Sequence, residues 1–74
     1  MGYDYELRIR GRLNRHLVNE FLEMELVANV EPVETVLAGP LDDQAALHGL
    51  IRRIEALGLE LIEVRRLPHL TFGP

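Results

Sequence analysis

The chain has 74 residues, a formal net charge of −4 and no cysteine. That length allows one domain, spanning 1–74, and no second core. The missing thiols exclude disulfides, thiolate metal sites and cysteine nucleophiles, and the acidic balance argues against nonspecific nucleic-acid binding, which needs a basic field.

Apolar residues at 47% supply one core, and charged residues at 27% are close to the globular norm, which argues against disorder throughout. A domain this short buries only about 60–65% of its unfolded surface and is marginally stable. Without covalent staples such a domain often relies on association, so a homodimer is expected. All eight basic residues are arginine, a pattern that fits arginine-rich codon usage better than a need for forked donors. No apolar run approaches the roughly 20 residues that cross a bilayer. The start, Met-Gly-Tyr-Asp-Tyr-Glu, lacks the basic and apolar regions of a signal peptide. The expectation is a cytoplasmic protein with no membrane partner.

Residues 3–10 alternate, with Tyr3, Tyr5, Leu7 and Ile9 on one face and Asp4, Glu6, Arg8 and Arg10 on the other. Period two marks a half-buried strand. Gly11 ends it as a turn or bulge. Asn14 is the expected N-cap of a helix over 15–23, with Leu13 as the staple residue before it. Leu17, Val18, Phe21 and Leu22 form its apolar stripe.

A second strand is expected over 25–31, with Leu26, Ala28 and Val30 on one side. Pro32 ends it, since proline cannot donate to a ladder. A tight hairpin near Glu31–Glu34 leads into a third strand over 33–38. There Thr35 and Leu37 oppose Glu34, Val36 and Ala38. Gly39-Pro40 reads as punctuation. Asp42 or Asp43 caps a second helix over 42–57, whose stripe is Ala46, Leu47, Leu50, Ile51, Ile54 and Leu57. Gly58 is its left-handed C-cap residue. Gly49 inside that helix costs about 1 kcal/mol relative to alanine. The last strand is expected over 59–66, with Ile62 and Val64 opposite Leu61, Glu63 and Arg65. Residues 68–74 form a tail without periodicity.

The element order β-α-β-β-α-β folds as two right-handed crossovers joined by a hairpin. The predicted fold class is α+β, a two-layer sandwich over residues 3–67. Its four-stranded antiparallel sheet has strand order 4-1-3-2, with both helices on one face. This order resembles the ferredoxin-like fold, and in size it is similar to a minimal ACT-type regulatory domain. The run Glu34-Thr35-Val36-Leu37-Ala38-Gly39-Pro40, then Asp43-Gln44-Ala45-Ala46-Leu47 and Leu57 to Arg66, also looks like short bacterial proteins of unknown function. An ACT-type resemblance implies a small ligand held at a subunit interface near the helix starts. The resemblance to uncharacterised proteins implies no activity, and a fold alone assigns none.

The helix-free sheet face carries Glu6, Arg8, Arg10, Glu34, Glu63 and Arg65. With Arg12 of the following loop, Arg8, Arg10, Glu63 and Arg65 are the candidate ligand or partner surface. Val36, Leu61, Leu67, Leu70 and Phe72 are the candidate dimer contacts. Acylphosphatases share the fold and place an arginine in a glycine-rich loop after the first strand. Here Gly11-Arg12-Leu13-Asn14-Arg15 is not glycine-rich. An RNA-recognition module stacks bases on open-face aromatics, but Tyr3 and Tyr5 fall on the core face. His16, His48 and His69 have no partner at i+3 or i+4, so no metal or cofactor is expected. The chain contains no serine, and no carboxylates are spaced as an acid–base pair. The functional expectation is a small non-enzymatic interaction or regulatory module that acts by binding. A protein partner fits best, with a small-molecule ligand as the alternative, and no nucleic acid.

Overall fold

A computed structural model describes residues 3–67. The tail residues Leu70 and Phe72 lie outside the described residues. The elements are β1 (Tyr3–Arg10), α1 (Arg15–Glu23), β2 (Val27–Val30), β3 (Glu34–Leu41), α2 (Gln44–Ala56) and β4 (Leu61–Leu67). They form one antiparallel sheet in the order β2-β3-β1-β4. This is the expected α+β ferredoxin-like arrangement.

Alternation in β1 works as period two dictates. Tyr5, Leu7 and Ile9 are buried, while Glu6 and Arg8 stand on the opposite face. β1 pairs with β3 on one side and β4 on the other, so the most strictly alternating strand is central. Phe21, Leu26, Leu37, Leu50 and Ile54 complete the core with these residues. Fully burying one such side chain contributes about 1.5–3 kcal/mol.

Both helices start at capping side chains. Asn14 Oδ1 accepts from the Leu17 amide at 2.9 Å, and Asp43 Oδ1 accepts from the Ala46 amide at 2.8 Å. Asp43, not Asp42, is therefore the α2 cap. Gly58 takes a positive φ of 76° just past α2, as its C-cap position requires.

Three features depart from the sequence expectation. Gly39-Pro40 does not end β3, which runs on to Leu41. β2 stops opposite Ala38, so at Pro40 the strand has lost that neighbour, and a residue without N–H is tolerated there. Gly39 is required by crowding. A Cβ there would lie 2.5 Å from the Glu25 carbonyl oxygen and 2.8 Å from Leu26 Cδ2. Glu25 itself has φ 66°, an uncommon value for a residue with a side chain, where the chain turns from α1 into β2.

The second departure is in β4. The register steps from Arg8↔Glu63 to Ile9↔Leu61, which leaves Ile62 as a bulge. Leu61 and Val64 sit opposite the buried Ile9 and Leu7. Residues three apart cannot share a face of an unbroken strand, and the extra residue reconciles them. Leu61 therefore packs against the core and does not share a face with Glu63 and Arg65. The third departure is at the stripe ends. Leu22 of α1 and Leu57 after α2 are exposed and stand outside the core.

Candidate binding face

The face away from the helices is built by register. Arg8 of β1 lies opposite Val36 of β3 and Glu63 of β4; Glu6 lies opposite Ala38 and Arg65; Arg10 lies opposite Glu34. Asp4 and Leu67 are paired at one end. Asn29 of β2 sits beside Val36. The central strand thus brings three of the predicted surface residues, Arg8, Glu63 and Arg65, into one patch.

Arg8 is the hub. Its Nη1 donates to Glu34 Oε1 at 2.6 Å, its Nε is 3.5 Å from Glu63 Oε1, and its Nη2 is 3.8 Å from Glu6 Oε1. Arg65 Nη1 approaches the same Glu6 oxygen at 3.8 Å. Glu6 Oε1 is shielded from solvent and has no hydrogen bond among the described residues. The two guanidiniums are its electrostatic compensation. The hydrogen bond that Arg8 donates to Glu34 raises the Arg8 pKa above the ordinary arginine value, against partial desolvation, with the charges of Glu34, Glu6 and Glu63 adding to the rise. Arg8 stays cationic at any physiological pH.

The other candidates take no part in the hub. Arg10 turns to Glu60 at 3.2 Å. Arg12 is exposed in the loop between β1 and α1, apart from the hub. Val36 is only 9% exposed within the single chain, so it offers little area to a partner. Leu67 is half-buried at the end of β4.

The loop after β1 has its polar groups committed internally. Gly11 donates its amide to the Val33 carbonyl at 2.8 Å. Thr35, fully buried, donates its hydroxyl to the Gly11 carbonyl at 2.9 Å and accepts from the Leu13 amide at 3.3 Å. Asn14 is spent on its cap. Backbone amides tied in this way do not make a phosphate cradle. Nothing in the sequence pattern marks Thr35 for this role. Tyr5 is buried on the helix side, and Tyr3 lies there under the Arg66 guanidinium, 4.5 Å from its ring centre. Neither ring is on the open face.

On the helix side, Glu20 and Arg53 form an ion pair between α1 and α2. An open groove of about 460 Å³ lies where the end of α1 meets the end of β3 and the start of α2. Glu23, Glu25 and Asp42 rim it, and Leu41, Ala46 and Gly49 line it. Among the described residues no three histidine, aspartate or glutamate side chains gather as a metal site, and no helix is long and apolar enough to cross a membrane.

A family model described as a domain of unknown function, DUF8691, matches residues 4–65. The chain belongs to the DUF8691 family. The match runs from Asp4 of β1 to Arg65 of β4, so β2, β3, both helices, most of β1 and β4 and the Arg8 hub lie within the family domain. No curated protein and no solved structure matches the chain.

Proposed function

We propose that the chain is a small non-enzymatic interaction module, cytoplasmic and regulatory, that binds a protein partner through the open face of its sheet. One observation carries this reading. The helix-free face is a firm mosaic of both charge signs, held in place by Arg8 and its three carboxylates. A surface of that kind suits a protein bearing complementary charges of both signs, where charge placement confers specificity. It does not suit a polyanion, because each arginine at the hub already faces a carboxylate of its own chain.

The test is capture of partners on immobilised wild-type protein and on Arg8→Ala in parallel, with circular dichroism to verify that both are folded. A protein held by the wild type and released by Arg8→Ala, with exchange protection mapping to β1 and β3, supports the reading. Turnover of an acyl phosphate by the purified chain overturns it.

A second reading is favoured by the groove at the start of α2, which lies where an ACT-like domain would hold a small ligand. Its rim of Glu23, Glu25 and Asp42 would repel anionic ligands and accept an amine. A melting-temperature screen with amino acids, amines and nucleotides separates the two. A dose-dependent shift with one metabolite, abolished by Asp42→Asn, would favour the groove over the sheet face.

A further inference from the structure

We propose that β4 is a self-recognising edge, and that two copies of the chain join through it antiparallel, about a two-fold axis at Val64, into one continuous eight-stranded sheet. The edge borders the open face and shares Glu63 and Arg65 with it, but the proposal rests on the unpaired strand edge and stands whether or not that face binds a partner.

β4 is the last strand of the sheet in the order β2-β3-β1-β4, and among the described residues nothing pairs with its outer side. Such an edge is a template for another strand. The opposite edge, β2, has four residues, which blunts it, whereas β4 has seven and contains no proline. Apolar side chains of β4, and Leu57 at the end of α2, are also under-covered. Val64 is 36% exposed, Ile62 44% and Leu57, just after α2, 38%. Val64 lies opposite the fully buried Leu7, yet is itself left partly exposed. A second copy would cover it.

The charge order along the strand identifies a second copy as the occupant. In an antiparallel pair, residues directly opposite must share a face. A two-fold axis at Val64 sets Val64 against Val64 of the second copy, and Glu63 against Arg65 of the second copy, twice by symmetry. Both belong to the open face by register, and both side chains are about half exposed. Opposite charges at directly facing positions are the favourable cross-strand case. The bulge at Ile62 lies outside the Glu63–Arg65 stretch that the axis uses.

The test is sedimentation of the full chain across low to high micromolar concentration, for wild type, Val64→Asp, Glu63→Arg, Arg65→Glu, and an equimolar mixture of the last two. The wild type is expected to be a dimer. Val64→Asp places two carboxylates at the axis, and each charge variant faces like charge with like. Each variant alone is expected to dimerise about tenfold more weakly or worse. The mixture restores both opposite-charge pairs and should recover the dimer. A wild type that stays monomeric throughout overturns the proposal. So does a wild-type dimer that survives Val64→Asp, or a mixture no better than its components. Circular dichroism on each variant guards against loss of fold, and rescue in the mixture is a result that misfolding cannot produce.

Discussion

Arg8 and Thr35 show two ways in which one side chain ties distant segments. Arg8 gathers carboxylates from its own strand, β3 and β4, and its removal leaves Glu6, Glu34 and Glu63 facing one another. Arg8→Ala should lower the melting temperature by a few degrees. Because the folded-state pKa of Arg8 is raised, its contribution is complete below the unfolded value and is lost only in strong alkali. The melting difference between wild type and Arg8→Ala should therefore be flat from about pH 6 to about pH 10, a range in which arginine does not titrate. A difference that vanishes within that window would mean another group carries the effect. Thr35 acts through buried hydrogen bonds. Thr35→Val keeps the shape but leaves the Gly11 carbonyl and the Leu13 amide without their partner. Urea denaturation should show a loss of about 1–3 kcal/mol, and Thr35→Ser, which keeps the hydroxyl, should lose less.

At the scale of elements, two glycines have opposite roles. Gly49 sits in the middle of α2 with an ordinary helical backbone, and a Cβ there meets nothing within 4 Å. Gly49→Ala should stabilise the chain by about 0.5–1 kcal/mol, by restoring helix propensity and narrowing the unfolded ensemble. Gly39 lets the α1–β2 turn lie against β3. Gly39→Ala should cost about 1–3 kcal/mol, because the backbone it meets cannot step aside as a flexible side chain could. Thermal or urea unfolding of the pair checks both signs at once. If Gly49→Ala proves destabilising in a dimer, a second copy approaches that face of α2.

At the scale of the molecule, the placement of charge governs what the chain can hold. A net charge of −4, with the open-face arginines Arg8, Arg10 and Arg65 each beside carboxylates, leaves no sustained positive field. Fluorescence anisotropy with single- and double-stranded oligonucleotides at physiological salt should show no submicromolar binding. If binding appears, its salt slope would count the phosphates that arginine contacts. A marginal core and a β4 edge that no described strand pairs argue in the same direction, toward the proposed association of two copies.

The bounds of β1 and α1, the hairpin between β2 and β3, the cap at Asn14 and the strand order were all legible in the sequence. The first three depend on local periodicity, capping or turn chemistry that a few neighbouring residues settle, and the strand order follows from the element order through right-handed crossovers. The composition of the open face was legible for the same reason, since alternation in β1 alone sends Glu6, Arg8 and Arg10 to one side. What the alternation could not show was that Arg8 becomes the hub while Arg10 turns to Glu60 and Arg12 stays outside, because those outcomes depend on which carboxylates other strands bring alongside. The bulge at Ile62, the crowding at Gly39 and the hydroxyl of Thr35 share that origin. Each answers to a segment far away in sequence, Ile9 for Leu61, Glu25 for Gly39, Gly11 for Thr35, and only packing brings those segments together.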